Sequence, residues 1–242
     1  MAARRTGKAG LTARAERALR EAVIAACRDM NRLGINQGKS GNIGVRVPDG
    51  ILVTPTGIAY ERLAPDDLVL IDFDGVAHGD RLPTSEWRFH YDILRTRPEA
   101  GAIVHAHSPF STVLACLRQG IPPFHYMVAM AGGIDIRCAP YATFGTQALS
   151  DHAVAALRDR KACLLANHGL IALGSDLDKA LALAVEVETL AAMYCRALQL
   201  GKPVLLSRAE MAVVIEKFKT YGHQPPLTRR RSGKALGRRQ AR

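Results

Sequence analysis

The sequence predicts a single α/β domain, on three observations. Its 242 residues and 48% apolar content are enough for one sizeable core. Short runs rich in β-branched and aliphatic residues recur along the chain, at 43–47, 51–54, 68–72, 102–106 and from 162 onward. Around them lie segments with apolar residues at helical spacing, the longest near 15–33 and 177–200. No internal repeat or domain boundary interrupts the pattern. One folded unit is expected over residues 11–226, between a basic N-terminus (1–10) and a basic C-terminal tail (227–242), both expected to be disordered.

The first helix is carried by Ala15, Ala18, Leu19, Ala22, Val23, Ala26, Cys27, Met30 and Leu33, and Gly34 closes it. Arginine-rich and nearly acid-free, the first 20 residues would suit a transit peptide, but this periodicity assigns 15–33 to the folded domain. A hairpin follows, with strands 43–47 and 51–54 about Pro48-Asp49-Gly50. Small polar loops flank it: Gly41-Asn42 before, Thr54-Pro55-Thr56-Gly57 after. Their N–H groups and hydroxyls suit a phosphate, although each reads equally as a turn and neither has P-loop spacing.

Leu68 to Asp72 reads as a strand and Asp74-Gly75 as a turn. Thr84 or Ser85 then caps a helix through Leu94, with Glu86 in its first turn, where the helix dipole favours an acid. The same helix start offers N–H groups and two hydroxyls to an anion. Further helices are expected from 109 to about 119, at 146–158 and at 177–200. The last one follows the capping box Ser207-x-x-Glu210 and runs to about 218–222. On the residues alone Tyr126 reads as a core tyrosine with a satisfied hydroxyl. His78, His90, His125, His152 and His223 show no partner pattern and read as structural or surface groups.

The stretch Ala102-Ile103-Val104-His105-Ala106-His107-Ser108 carries the chemistry. Successive strand residues alternate faces, so His105 and His107 share one, with Cα atoms ~6.6 Å apart at about 3.3 Å per residue. Two imidazoles so placed can converge on one metal at ~2.0–2.1 Å. Ser108-Pro109 reads as an N-cap and first helical residue, which ends the strand there. A third histidine, His168, ends another apolar run and is followed by Gly169. Three imidazoles with open positions describe a catalytic metal site rather than a closed structural one.

Composition narrows the classes. No apolar run reaches the roughly 18 residues of a spanning helix. The five cysteines, 27, 116, 138, 163 and 195, lack C-x-x-C spacing and lie mostly in apolar runs, which predicts reduced, buried thiols in a cytoplasmic protein. Of the net charge of +11, seven positives lie from Arg229 onward with no acid among them, leaving +4 on the rest. That tail suits either an arm for nucleic acid or an anionic surface, or a solvated extension.

Taken together, these residues resemble the class II, zinc-dependent aldolases of the L-fuculose-1-phosphate aldolase type. That family also holds ribulose-phosphate 4-epimerases, a thioribulose-phosphate dehydratase and the non-enzymatic adducin head domain. The likeness runs from about residue 18 to 222, through Asn36-Gln37-Gly38, Gly41-Asn42, Thr54-Pro55-Thr56-Gly57, Ser85-Glu86-Trp87-Arg88-Phe89-His90, His105-x-His107, Tyr141-Ala142-Thr143-Phe144-Gly145-Thr146, His168-Gly169-Leu170-Ile171-Ala172 and Glu216 to Gly222.

The resemblance implies a three-layer α/β/α sandwich on a largely antiparallel sheet. It implies Zn²⁺ on His105, His107 and His168, with Glu86 completing the site and becoming the proton-transferring base. Phosphate would sit on Gly41, Asn42, Thr56, Gly57, Thr84 and Ser85. Tyr126 would serve the aldehyde oxygen, and Phe144, Phe218 and Tyr221 would shape the aldehyde end, partly from a neighbouring subunit of a homotetramer. The implied reaction is cleavage of a ketose 1-phosphate, such as L-fuculose 1-phosphate, to dihydroxyacetone phosphate and an aldehyde.

Lys39 departs from the pattern by standing where the fuculose enzyme has a threonine, and Thr84 by replacing a serine. An epimerase would carry aspartate in place of Glu86, and a dehydratase would expel water with the same metal. An adducin-like binding module would not need the three histidines. A nucleic-acid partner would rest on the tail alone, since the folded part shows no basic-aromatic patch.

Overall fold

The computed structural model describes residues 11–221. The two basic extensions, 1–10 and 227–242, lie outside the described residues, as does His223. Helix α1 spans Ala13–Arg32 and starts on the Thr12 hydroxyl, which accepts from the Ala15 N–H at 3.3 Å.

Strands β1 (Asn42–Val47) and β2 (Gly50–Val53) form the expected hairpin, with Gly50 already paired to Val47, so the turn is only Pro48-Asp49. Next come β3 (Val69–Asp72), β4 (Ala77–His78), α2 (Trp87–Thr96), β5 (Ala102–Ala106) and α3 (Pro109–Cys116). The chain continues through β6 (Arg137–Ala139), α4 (Gln147–Ala156), β7 (Ala162–Leu165), β8 (Gly169–Gly174), α5 (Leu177–Leu200) and α6 (Arg208–Phe218). The capping box at Ser207 and Glu210 closes as the spacing predicts.

These eight strands make one sheet in the order β4-β3-β2-β1-β5-β8-β7-β6. Every ladder is antiparallel except β6 with β7. Period-two alternation divides the core. Ala102, Val104 and Ala106 of β5 pack with Val23, Cys27 and Met30 of α1 and with Leu183, Ala184 and Val187 of α5. Ile103 of the same strand faces the other way, to Phe89, Ile93 and Leu94 of α2 and Leu149 and Ala153 of α4. Helices on both faces of one sheet give the three layers. All five residues of β5 are buried, at about 1.5–3 kcal/mol for each large aliphatic side chain. A polar side chain on this strand must therefore find a partner inside the protein.

Three details differ from the sequence expectation. Helix α3 stops at Cys116, with Arg118 left-handed at φ 54° just beyond, and α6 stops at Phe218. Ser108 occupies the N-cap position of α3, but its hydroxyl caps nothing. Glu188 of α5 does so instead, its carboxylate accepting from the Phe110 and Ser111 N–H groups and the Ser111 hydroxyl, each at 2.8 Å. Among the thiols, Cys27 and Cys163 are buried as expected, whereas Cys116 is exposed. No described helix is long and apolar enough to cross a membrane.

Candidate metal centre and active site

Strand parity sets the first donor. His105 shares its face with Ile103 and so points toward α2, where it is fully buried beneath the Phe89 ring at 5.3 Å. Its Nδ1 lies 2.8 Å from the Leu170 carbonyl on β8. With the Nδ1 proton donated there, the Nε2 lone pair faces the cluster. His107 follows the end of β5, its Nε2 3.1 Å from His105 Nε2.

His168 comes from the tight β7–β8 connection. Asn167, not Gly169, is the left-handed residue there, at φ 54°. Gly169 is required for close approach: a Cβ would stand 2.4 Å from the Ala106 carbonyl oxygen. The three imidazoles meet edge to face with centroids 4.8 to 5.0 Å apart.

Glu86 completes the group. Its Oε2 is 3.1 Å from His105 Nε2, and its Oε1 is 3.1 Å from His168 Nε2. One ligand atom from each of Glu86, His105, His107 and His168 falls within 4.8 Å of the others. Four ligands held tetrahedrally at ~2.0–2.1 Å from one ion stand about 3.3 Å from one another. Glu86 Oε1 is moreover buried with no hydrogen-bond donor among the described residues. Converging imidazole nitrogens and an orphaned carboxylate oxygen fit a divalent cation and little else.

Burial raises the Glu86 carboxyl, and His105 and His168 bring it below the usual carboxylate range when their rings turn a proton toward it in the absence of metal. Burial, then His105 and His168, push His107 down to about 4, which keeps it neutral and able to coordinate at neutral pH.

Glu86 is the N-cap residue of α2 rather than a first-turn acid, and its side chain makes no capping bond. It is held inward by Asn42, whose Nδ2 donates to Oε2 at 3.0 Å. Asn42 Oδ1 in turn lies 2.5 Å from His90 Nε2. His90 is thus a fully buried member of the site, contrary to its reading as a structural or surface group without a partner. The available signal was its position four residues after Glu86, one helical turn along the same face.

The loops expected to hold phosphate do come together. Thr84 N–H donates to the Thr54 carbonyl and Thr56 N–H to the Leu82 carbonyl, which lays 54–57 beside 82–85. Thr56, Gly57 and Ser85 are exposed there, whereas Gly41, Asn42 and Thr84 are buried. The Thr84 hydroxyl accepts the Glu86 N–H, and the Asn42 amide is committed to Glu86 and His90. Lys39 puts its ammonium 2.8 Å from the Gly57 carbonyl at the rim of this group.

A cavity of about 290 Å³ opens beside the histidines, lined by Ser40, Ser85, Tyr141, Phe144 and Asn167 together with Glu86, His107 and His168. Ser40, Tyr141 and Asn167 carried no role in the sequence reading. Tyr126, Phe218 and Tyr221 do not line it. They form a separate aromatic cluster, with Tyr126 stacked on Phe218 at 6.4 Å and Tyr221 edge-on to Phe218 at 5.4 Å. Tyr126 is half exposed, not a core tyrosine.

Comparison with known proteins agrees with this geometry. The family model described as class II aldolase and adducin N-terminal domain matches residues 21–195. The chain is 58% identical to a 5-methylthioribulose-1-phosphate/5-deoxyribulose-1-phosphate aldolase of Rhodospirillum rubrum, over 87% of this chain and 95% of that protein. It is 53% identical to the L-fuculose phosphate aldolase of Escherichia coli K12, over 83% of this chain and 94% of that one. A solved L-fuculose 1-phosphate aldolase superposes with a TM-score of 0.82 at 38% identity, covering 87% of this chain and 98% of that one. This chain therefore belongs to the class II aldolase and adducin N-terminal domain family, and within it is a metal-dependent class II aldolase, a carbon–carbon lyase.

Proposed function

We propose that this aldolase cleaves a ketose 1-phosphate to dihydroxyacetone phosphate and an aldehyde, with Zn²⁺ held by Glu86, His105, His107 and His168. The observation that carries this reading is the convergence of three imidazoles and an orphaned carboxylate oxygen beside an open cavity. A divalent ion bound there supplies Lewis-acid stabilisation of the negative charge left on the dihydroxyacetone phosphate fragment. Glu86 is both a ligand and the base: in cleavage it returns a proton to the fragment's carbon, and in synthesis it removes one.

The exposed Thr56, Gly57 and Ser85 hold the phosphate, with Gly41, Asn42 and Thr84 building the loops beneath them, and Lys39 adds a cation at the rim. Anchoring the phosphate fixes the reacting carbons relative to Glu86. Tyr126 exchanges the proton of the hydroxyl that becomes the aldehyde. Its place in an exposed aromatic cluster away from the cavity supports a homotetramer in which Tyr126, Phe218 and Tyr221 complete the site of a neighbouring copy. A cytoplasmic setting belongs to the same proposal, supported by the free thiols.

Phe144 and Tyr141 give the aldehyde end an apolar wall. That favours ketoses ending in a methyl or thiomethyl group, a feature common to L-fuculose, 5-deoxyribulose and 5-methylthioribulose 1-phosphates. The relative at 58% identity makes the last two the second specific reading beside L-fuculose 1-phosphate. Turnover of all three, with ribulose 1-phosphate as the hydroxyl-ended control and the aldehyde identified, tests the proposal. Cleavage of the deoxy and thiomethyl sugars well ahead of ribulose 1-phosphate is expected. Absence of dihydroxyacetone phosphate from every reaction would reject the reading.

A further inference from the structure

His90 is buried completely one turn into α2, and the direction of each hydrogen bond around it follows from the donor inventory. Asn42 turns its Nδ2 to Glu86 and donates to Oε2 at 3.0 Å. Oδ1 must then face His90, and because Oδ1 accepts, His90 Nε2 carries the proton. Nδ1 is left as a bare lone pair, and it is indeed buried without a partner among the described residues. The fit is close: a Cβ on Gly44 would stand 2.6 Å from His90 Nδ1, so β1 needs glycine there.

We infer that His90 is a positioning residue for Glu86: its Nε2–H fixes the Asn42 amide so that Nδ2 holds Oε2, which turns Oε1 toward His168. Without His90 the amide is free to flip, and a flipped amide would set an oxygen against the carboxylate. Outer partners of this kind orient a metal ligand as much as its own rotamer does. The inference rests on the reading of Glu86 as a metal ligand.

The test compares Zn²⁺ affinity, measured by competition with a chelator, for His90→Leu and His90→Gln in the wild-type and Glu86→Ala backgrounds. In the wild-type background, His90→Leu is expected to weaken Zn²⁺ binding by roughly tenfold or more. His90→Gln, which keeps an N–H near the Nε2 position, is expected to stay within about threefold, and in Glu86→Ala the Leu substitution should change affinity by less than about threefold. Unaltered affinity in His90→Leu, or the same loss in both backgrounds, would overturn the inference. If Glu86→Ala alone left affinity intact, the ligand reading would fall and this inference with it, whereas a loss in Glu86→Ala but none in His90→Leu overturns the inference only. Nitrogen-15 NMR of the unsubstituted protein gives a readout that does not depend on any variant folding. A neutral His90 protonated on Nε2 is expected, and an Nδ1–H tautomer would exclude the relay.

Discussion

At the scale of single residues, Glu86 is a side chain open to two explanations. It stands at a helix start, where an acid is ordinary, yet caps nothing and reaches His105 and His168. Glu86→Gln separates the two explanations. A helix-end acid would cost at most ~1 kcal/mol of stability and leave the rate intact. As the base, its loss is expected to slow exchange of the dihydroxyacetone phosphate α-proton with solvent by roughly 10²-fold or more in the metal-loaded enzyme. Exchange at the wild-type rate would remove Glu86 from the mechanism. Lys39 makes a smaller claim, since its ammonium is exposed beside the Gly57 carbonyl. Lys39→Met should raise KM for dihydroxyacetone phosphate by roughly two- to five-fold, the size of an exposed ion pair, with kcat unchanged. The effect should shrink in high salt. A KM insensitive to both substitution and salt would place the ammonium outside the phosphate's reach.

At the scale of elements, β5 and the turn into α3 carry two candidate metal-ligating histidines, and their junction is secured by α5. His107 sits between the end of β5 and the start of α3, so fraying of α3 would move a candidate metal ligand. Glu188 prevents this by taking two backbone N–H groups and a hydroxyl across the α3–α5 contact. A charged acceptor with several donors is worth more than an ordinary hydrogen bond. Glu188→Ala is expected to destabilise the fold by roughly 2 kcal/mol, because it strands those donors. For a chain of this size that lowers Tm by about 4–8 °C. Thermal melting of the metal-free protein checks this, and an unshifted Tm would mean that water caps α3 as well as Glu188 does.

At the scale of the whole molecule, the cavity and the aromatic cluster of Tyr126, Phe218 and Tyr221 are separate features of one chain. If each active site draws Glu86 from one copy and Tyr126 from another, two inactive variants should complement. Mixing and reassembling Glu86→Gln with Tyr126→Phe subunits is expected to restore activity at roughly a quarter of the sites, since a random assembly pairs two intact contributions that often. No recovery in verified mixed oligomers would confine each site to its own chain.

The three histidines that the structure brings together were legible in the sequence because their signals are local. Period two puts His105 on one defined face of β5, and the third histidine ends a strand-like run. Helices α1 and α5 and the capping box at Ser207 were legible for the same reason: periodicity and caps act over three or four residues. The antiparallel order of the sheet came from family likeness, not from spacing, because strand pairing joins residues far apart in the chain. Strands β4 and β6, of two and three residues at the sheet edges, are too short to leave a pattern. Only the tertiary structure replaced Ser108 by Glu188 as the cap of α3 and gave His90 a partner in Asn42. In each case the chain's own neighbourhood offered a plausible polar partner. A residue from a distant element took its place because burial leaves a polar group no water to fall back on.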